Sequence, residues 1–414
     1  MIVYTARHLL PISSPPLQDG ALAVEGGRIV AAGRRKDVLD DVTGEAVEVR
    51  ELGDTVVLPG LVNAHTHLEL AWMAGESLPA GDYLAWVRGF VRHRDREVDD
   101  VARKAAEAAI ETIIARGTVA VGDIANRDWM PALLARTPLW AVVFHEVLGF
   151  RAVDAEPVVN EAARRLDAMD ADSAESEGRV RVALAPHAPH TTSAALLKAL
   201  AGRSAATGAP LSIHVAESET EASFLRGGAE EFREFLSERG MWDESWTPPG
   251  QSPVEYLDRL HVLTPRTLAV HCVHLGQRDV SRLQARGVTV VTCPRSNERL
   301  GVGTTPVPKL LGEGIPVALG TDSPASAPDL DLFAEMATLL RQQPGIAPRA
   351  ALRMATVNGA SALGLGDRLG TLEPGKVPAA IVVPLGPGDD PLETLVSEPS
   401  TVFRLETAPW EGRQ

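Results

Sequence analysis

Hydrophobic positions in the middle of the chain form short continuous runs that alternate with helix candidates such as 99–114 and 194–200. Eight such runs occur: 56–67, 118–124, 140–148, 180–186, 211–215, 268–274, 288–293 and 316–322. Buried strands that alternate with helices are typical of parallel βα units. Eight of them predict an α/β fold built as a closed (β/α)8 TIM barrel.

An open doubly wound sheet is the structural alternative to the barrel. Such a sheet usually carries a glycine-rich phosphate-binding turn after its first strand. In this chain the first apolar run ends in His65-Thr66-His67 instead. The missing glycine-rich turn favours the barrel.

Both ends of the chain have the pattern of short β-strands rather than of βα units. Residues 21–33 contain two apolar runs around a Gly-Gly pair, which is typical of a hairpin. Residues 370–383 contain turn residues followed by another apolar run. Because neither end is long enough for an independent sheet, we expect 1–56 and 371–414 to form one small composite β-sandwich domain. The barrel is then expected over 57–370.

One long segment, 219–256, interrupts the alternation of strands and helices. It begins with a helical pattern and continues with two tryptophans and a Pro-Pro pair. The segment is either an excursion over the mouth of the barrel that covers a substrate or an ordinary surface insertion. The sequence leaves both interpretations open.

Composition narrows the classes of partner. The chain has 414 residues, a formal net charge of -15 at pH 7 and only two cysteines, Cys272 and Cys293. Nucleic acids and anionic membranes attract basic surfaces, so we expect neither as a partner. No apolar run approaches the length of a membrane span, the first residues lack the features of a signal peptide, and two cysteines make no disulfide framework. We therefore expect a cytoplasmic protein.

Residues able to bind a metal or move a proton stand at the ends of five predicted strands. They are His65 and His67, His187 and His190, His214 and Glu217, His271 and His274, and Asp322. In a barrel the carboxyl ends of the strands surround the site. Two histidines that are two positions apart on a strand point to the same side, so His65 and His67 suit one ion. A single such histidine is usually a core residue, but recurrence at five strand ends indicates a metal site.

Four of these segments resemble the signature set of the amidohydrolase superfamily, in its cytosine/adenosine-type deaminase and chlorohydrolase branch. The segments are Asn63-Ala-His-Thr-His67, His214-Val-Ala-Glu217, His271-Cys-Val-His274 and Gly320-Thr-Asp322. Their order and spacing match, and the resemblance extends over nearly the whole chain. It implies a metal-dependent hydrolase built on a TIM barrel.

The resemblance also implies a role for each residue of the set. The implied ligands of one divalent ion, zinc or alternatively ferrous iron, are His65, His67, His214 and Asp322. The ion lowers the pKa of a bound water, and the resulting metal-bound hydroxide attacks the substrate. Asp322 accepts the proton of that water, and His271 contacts the hydroxide. Glu217 carries a proton to a ring nitrogen of the substrate, which requires the chain to turn just after Val215.

A single ion is favoured over a pair. Relatives with two metal ions bridge them with a carboxylated lysine from a strand in the middle of the barrel. This chain has no lysine between Lys104 and Lys198, and both of these lie in or beside helical patterns. We therefore expect a mononuclear site.

Five residues near the expected mouth are candidates for substrate contact: Glu69, Trp86, His187, Arg295 and Asn297. His187 matches a position that contacts substrate in the purine-type deaminases of this branch. Arg295 and Asn297 can donate to a polar ligand or can brace a loop, and both interpretations stay open. His190 stands where relatives often carry tyrosine, which leaves its role open.

Shorter motifs narrow the resemblance to the aminodeoxyfutalosine deaminases within this family. The motifs are His67-Leu-Glu69, Gly81-Asp-Tyr-Leu-Ala-Trp86, Cys293-Pro-Arg-Ser-Asn297 and Asp329-Leu-Asp-Leu-Phe333. Those enzymes convert 6-aminodeoxyfutalosine to deoxyfutalosine and ammonia in a route to menaquinone. Other adenosine-type deaminases and chlorohydrolases share parts of these motifs.

Several alternatives remain beside this hydrolytic deaminase. Adenosine, methylthioadenosine or S-adenosylhomocysteine could be the nucleoside that is deaminated, or chloride could be removed from a triazine. A cyclic-amide hydrolase would need the missing lysine. A ligand-binding barrel without activity would be expected to lack Glu217, His271 or Asp322, and all three are present. The expected partner is a small nucleoside-like molecule, and a homodimer is left open.

Overall fold

The computed structural model describes residues 1–42, 47–151 and 155–408. Within them the chain divides into two compact units. The first comprises Met1–Asn63, Glu111–Ala120 and Asp331–Gln414, and the second comprises Ala64–Ile110 and Val121–Leu330. The predicted boundaries at 56/57 and 370/371 stay a prediction.

Fifteen strands lie in the described residues. They are β1 (Ile2–Leu9), β2 (Leu17–Glu25), β3 (Arg28–Arg34), β4 (Glu48–Glu51), β5 (Thr55–Pro59), β6 (Leu61–Thr66), β7 (Thr118–Ala125), β8 (Trp140–Val147), β9 (Val180–Pro186), β10 (Leu211–Val215), β11 (Thr267–His271), β12 (Thr289–Thr292), β13 (Val317–Leu319), β14 (Ala380–Pro384) and β15 (Phe403–Arg404).

The helices follow the same order. They are α1 (Arg35–Asp41), α2 (Tyr83–Arg94), α3 (Asp99–Ala115), α4 (Met130–Ala135), α5 (Glu156–Asp172), α6 (Ala194–Thr207), α7 (Glu219–Arg226), α8 (Glu230–Glu238), α9 (Pro253–Arg259), α10 (Gln277–Arg286), α11 (Pro294–Leu300), α12 (Val307–Gly312), α13 (Leu332–Gln342), α14 (Pro348–Arg353), α15 (Gly359–Ala362) and α16 (Pro391–Val396). Short 3-10 turns span Leu68–Met73 and Ala174–Ser176, and a π turn spans Met354–Asn358. No helix in the described part of the chain is long and apolar enough to cross a membrane.

The first unit contains a seven-stranded sheet with the strand order β15-β14-β5-β1-β2-β3, and β4 pairs with β1. Strands β2 and β3 form an antiparallel hairpin around Gly26 and Gly27, which both have positive φ as a two-residue turn requires. Near the other end of the chain, β14 pairs antiparallel with β5, with Ile381 opposite Leu58. Both chain ends therefore contribute to one sheet.

The predicted strand over 56–67 is two strands in the structure. β5 belongs to the seven-stranded sheet, whereas β6 begins a four-stranded sheet. The change occurs at Gly60, whose N–H donates to the carbonyl of Ala379, and the next N–H, of Leu61, donates to Gly117. A Cβ atom at Gly60 would lie 2.2 Å from a methyl group of Val119, so only glycine fits there.

Eight strands form the predicted barrel. Two four-stranded sheets have the orders β6-β7-β8-β9 and β10-β11-β12-β13. The N–H of His214 donates to the carbonyl of His187, which joins β10 to the end of β9. The N–H groups of Thr321 and Asp322 donate to the carbonyl of His65, which joins the end of β13 to β6. These bonds connect both pairs of sheet edges, so the (β/α)8 prediction is confirmed.

Candidate metal centre and active site

The predicted ligands converge at the carboxyl ends of three strands. His65 lies in β6, with His67 just after it, while His214 is in β10 and Asp322 follows β13. Ligand atoms of His65, His67 and His214 all lie within 4.8 Å of one another. Strand order explains part of this, because β6 and β13 are neighbours where the barrel closes.

The spacing of the donor atoms fits one tetrahedral ion. His65 Nε2 and His67 Nε2 are 3.2 Å apart, and Asp322 Oδ1 lies 3.5 Å and 3.3 Å from these two nitrogens. Ligands about 2.1 Å from a tetrahedral zinc ion would be about 3.3–3.4 Å apart. The buried Nε2 of His214 has no hydrogen-bond partner among the described residues. The donor set therefore fits a divalent ion such as zinc.

Burial prepares two of the three ligand imidazoles, His65 and His214, for a metal. Burial lowers the pKa of His65 to about 4 and the pKa of His214 well below its usual value. Neutral imidazole is the form that binds a metal ion. For Asp322, burial would raise the pKa, but hydrogen bonds with His65 and His67 hold it well below the usual range. The site thus favours neutral nitrogens at His65 and His214 beside one carboxylate.

Asp322 is held by further contacts on its other oxygen. Its backbone has a φ of 60°, which is unusual for a residue with a side chain. The hydroxyl of Ser296 donates to Oδ2 at 2.5 Å, and the hydroxyl of Ser326 donates to the same oxygen at 3.3 Å. These contacts leave Oδ1 facing the histidines. Neither serine was predicted from the sequence.

His271 ends β11 with a φ of 70° and is fully buried. Its Nδ1 lies 2.9 Å from Oδ1 of Asn297, an oxygen that can only accept, so Nδ1 carries the proton. Its Nε2 lies 3.1 Å from Nδ1 of His214 and 3.6 Å from Oε1 of Glu217. The ring therefore lies between a predicted ligand and the predicted proton shuttle.

Glu217 reaches the same place through a turn. β10 ends at Val215, as the sequence required, and Ala216 follows with a φ of 52°. The hydroxyl of Tyr83 donates to Oε2 of Glu217 at 3.1 Å. Burial raises the pKa of the Glu217 carboxyl. A buried carboxyl that can exchange a proton thus faces His271.

A cavity of about 470 Å³ opens over these residues. All of its described lining residues belong to the second compact unit. Helix α2 contributes Tyr83, Trp86 and Phe90, and helix α8 contributes Phe232 and Phe235. Part of the predicted excursion over 219–256 therefore lines the cavity.

Three of the five predicted substrate contacts line the cavity: Glu69, Trp86 and His187. The Glu69 carboxylate is already engaged, because Oε2 accepts from the N–H groups of Asn126 and Arg127 and Oε1 accepts from Arg94. Its contacts fix the chain after β7. The geometry gives Glu69 a structural task beside any contact with substrate.

The other two predicted contacts are not among the described residues that line the cavity. Arg295 forms a two-pronged ion pair with Asp329 and is not among the described residues that line the cavity. Asn297 is buried behind His271, and its amide Nδ2 donates to Thr305 at 3.4 Å. Arg295 thus contacts Asp329 and Asn297 contacts the His271 ring, while their contact with a substrate stays a prediction. The sequence alone is compatible with either role.

The His187–His190 segment lies at the edge of the cavity. Nδ1 of His187 lies 2.6 Å from the hydroxyl of Thr191. That hydroxyl donates to the carbonyl of Ala188, so it accepts from His187 and leaves Nε2 available. His190 packs edge-on against Phe232 at 4.5 Å between ring centres.

Some residues of the site escaped prediction. Tyr83 lies within a predicted motif, but nothing in the sequence indicates that it reaches Glu217, 134 positions away. Glu146 at the end of β8 approaches His214 Nε2 to 3.9 Å, and its place at a strand end was the available signal. Cys272 is buried, and burial raises the pKa of its thiol, which disfavours the reactive thiolate.

Comparisons with known proteins agree with this geometry. The profile of the Amidohydrolase family matches residues 56–407. The aminodeoxyfutalosine deaminase of Deinococcus radiodurans is 36% identical over 361 residues, covering 83% of this chain and 81% of that protein. The 5-methylthioadenosine/S-adenosylhomocysteine deaminase of Syntrophobacter fumaroxidans is 34% identical over 375 residues, covering 88% and 80%.

A solved structure shows the same fold. The adenosine deaminase of Xanthomonas campestris, crystallised with bound zinc, superposes with a TM-score of 0.80 at 27% identity. The superposition covers 95% of this chain and 88% of that one. The metal in that structure agrees with the divalent ion that the donor set fits here.

Proposed function

This chain belongs to the amidohydrolase family, and from that premise we propose that it is a metal-dependent hydrolytic deaminase of an adenine-type nucleoside. Such an enzyme is a hydrolase that acts on carbon–nitrogen bonds. The observation that carries the proposal is the meeting of Glu217, His271 and Asp322 with His65, His67 and His214 beneath one cavity.

Four residues would bind the metal ion, and Glu217 would carry a proton. His65, His67, His214 and Asp322 would hold one divalent ion, zinc or alternatively ferrous iron. The bound ion supplies Lewis-acid activation of a water molecule. Glu217 takes up one proton of that water and delivers it to the ring nitrogen next to the carbon that the water oxygen attacks.

The later steps use the same side chains. His271, whose proton lies on Nδ1 toward Asn297, presents Nε2 to the reacting oxygen. Asp322 accepts the second proton of that water and passes it to the exocyclic amine. The carbon–nitrogen bond to the exocyclic amine then breaks, and the amine leaves as ammonia. The base is converted from adenine to hypoxanthine, with water as the other reactant.

We propose 6-aminodeoxyfutalosine as the substrate, converted to deoxyfutalosine and ammonia. The relative from Deinococcus radiodurans carries that activity in its name. The cavity supports a nucleoside with an apolar extension, because Trp86, Phe90, Phe232 and Phe235 line it beside the polar strand ends. His187, with its free Nε2, is the proposed contact to the base.

The second candidate is 5-methylthioadenosine or S-adenosylhomocysteine. The relative from Syntrophobacter fumaroxidans is named for these two, and it covers slightly more of this chain. The same strand-end residues would serve either substrate. The preference for one substrate over the other would depend on the residues that line the rest of the cavity.

The test is ammonia release from a panel of substrates. We expect the highest kcat/KM for 6-aminodeoxyfutalosine, measured against adenosine, methylthioadenosine and S-adenosylhomocysteine. A higher kcat/KM for one of the other nucleosides would make that nucleoside the substrate and would leave the proposed deamination unchanged. Chloride release from a triazine without ammonia release from any nucleoside would overturn the deaminase itself.

Two wider proposals follow from this substrate. We place the reaction in menaquinone biosynthesis in the cytoplasm. A bacterium that lacks its own aminodeoxyfutalosine deaminase should grow without added menaquinone when it carries this chain. Growth that still depends on menaquinone would refute this placement.

The assembly and the domain boundaries also remain proposals. We propose a homodimer, supported by two exposed valines: Val98, 58% exposed just before α3, and Val101, 55% exposed in its first turn. Light scattering on a sizing column that gives one chain's mass would refute it.

We keep the catalytic barrel at 57–370 and the β domain at 1–56 and 371–414. In limited proteolysis, a first cut inside 57–370, made earlier than any cut near residue 56 or residue 370, would argue against that division.

A further inference from the structure

The turn that carries Glu217 is strained and needs a support. Ala216 has a φ of 52°, in the left-handed region that residues with side chains rarely adopt. The carbonyl of Ala216 accepts from the N–H groups of Val273 and His274, both at 2.9 Å. Neighbouring backbone thus holds one side of the peptide between Ala216 and Glu217.

The other side of the turn is held by a carboxylate, that of Glu221. Its Oε1 accepts from the N–H of Ala216 at 3.0 Å, and its Oε2 accepts from the N–H of Glu217 at 2.8 Å. Glu221 is only 1% exposed. Both oxygens of a buried side chain therefore bind the two consecutive amides that set the direction of Glu217.

The local sequence explains why this arrangement is more than a helix cap. Ser218 caps helix α7, and its hydroxyl accepts from the N–H of Glu221 at 3.1 Å. In an ordinary capping box the third residue of the helix would bond back to the N–H of the cap itself. Glu221 instead reaches past Ser218 to the two preceding residues. Its contacts serve the turn rather than the helix.

A second element packs against the same carboxylate. Nδ1 of His190 lies 4.0 Å from Oε1 of Glu221, and both side chains are buried. His190 is held in turn against Phe232 of α8. The segment whose role the sequence left open therefore stands behind the support of Glu217.

We infer that Glu221 is a positioning residue for the reaction: it fixes the backbone of Glu217 so that the Glu217 carboxylate stands between Tyr83 and His271. The inference rests on the proposed function in taking Glu217 as the proton shuttle. Glu221 itself touches no reacting atom. Its effect on turnover must pass through Glu217.

Substitution tests the role against a matched control. Glu221→Ala removes both acceptors and Glu221→Gln keeps one, while Glu219→Ala changes an exposed glutamate in the same helical turn. We expect Glu221→Ala to lower kcat by about 100-fold with KM and metal content nearly unchanged, since small displacements of a reacting group cost about that much. Glu221→Gln should lower kcat less than Glu221→Ala does. The kcat of Glu219→Ala should stay within about twofold of the wild-type value. Wild-type kcat per metal-loaded site in Glu221→Ala would overturn the inference.

A double variant separates positioning from a general loss of structure. In a Glu217→Gln background, adding Glu221→Ala should change the remaining rate little, because the group that Glu221 positions is already disabled. A further loss of about 100-fold in that background would show that Glu221 acts by another route.

Amide hydrogen exchange gives a readout that needs no substrate. Exchange at Ala216 and Glu217 should be roughly fivefold faster or more in Glu221→Ala than in Glu219→Ala, since each amide loses its acceptor. Unchanged exchange would overturn the inference whether or not ammonia is released. Faster exchange in a protein that deaminates nothing would leave the support of the turn standing and would refute the proposed function alone.

Discussion

The two sides of the cavity are built in different ways. The strand-end cluster (His65, His67, His214, Glu217, His271 and Asp322) consists of buried polar groups and the partly buried His67, which contact one another at the strand ends. The helical wall (α2 and α8) presents Trp86, Phe90, Phe232 and Phe235 to the cavity, and exposed ion pairs join its two helices. Arg88 of α2 pairs with Glu238 of α8, and Arg239 pairs with Asp95.

This difference shows which part fixes the reaction and which part is free to vary. Buried polar groups are costly unless each finds a partner, so the cluster has essentially one arrangement. Three of its residues or their neighbours, Ala216, His271 and Asp322, even hold left-handed backbone. Exposed ion pairs contribute little, so the wall can change without disturbing the cluster. We infer that the cluster sets the chemistry and the wall selects the nucleoside.

The largest effect should come from inside the cluster. Glu217→Gln keeps the shape but removes the proton carrier, so kcat should fall by about 10³-fold while the bound metal stays. Ammonia release and metal analysis on the same sample measure both. Near-normal turnover would remove the role assigned to Glu217.

A smaller effect is expected where the wall touches the cluster. Tyr83→Phe removes one hydrogen bond to the Glu217 carboxylate, so kcat should fall by about 10-fold to 100-fold. Burial already raises the pKa of Glu217, and the Tyr83 hydrogen bond lowers it. Losing that bond raises the pKa further, and the acidic limb of the kcat/KM profile should move to higher pH.

Two results would contradict this account of Tyr83. If the acidic limb moved to lower pH, Tyr83 would not stabilise the charged form of Glu217. If only KM changed, Tyr83 would affect substrate binding, like the rest of the helical wall, and would have no part in the chemistry of the strand-end cluster.

The smallest effect should come from the outer face of the wall. Glu238→Gln weakens an exposed ion pair between α8 and α2, so kcat should change by less than about threefold. Glu234→Gln, on the same helix, is the control. A loss in kcat of tenfold or more for Glu238→Gln alone would mean that closure of the wall takes part in the reaction.

The strand-end cluster could be predicted because the βα units of the barrel repeat along the chain. Each barrel strand delivers its last residues to one face, so histidines at successive strand ends imply a common meeting point from their positions in the chain alone. The turn after Val215 also followed, because the family resemblance places Glu217 in the cavity and a continuing strand would point it away. The break at Gly60 did not, because a run of buried residues reads the same whether it belongs to one sheet or two.

The wall could not be predicted in the same way. Tyr83 and Phe232 meet the site through helices that follow different strands, and no period in the sequence relates them. Arg295 and Asn297 are next to Ser296, yet helix α11 sends them to different partners: Arg295 to Asp329, Asn297 to His271 and Ser296 to Asp322. Adjacent residues on a helix face different directions, so a motif there cannot reveal which one meets a ligand.

The most direct test of the account is a metal titration of the chelator-treated protein, with zinc bound per chain and ammonia release from the best nucleoside of the panel measured together. We predict almost no release without metal, a rise in proportion to bound zinc, and a maximum at one ion per chain. Full activity without metal would contradict the proposed chemistry. A maximum at two ions would contradict the single site and would direct attention to Glu146, His187 and His214, whose ligand atoms also lie within 4.8 Å of one another.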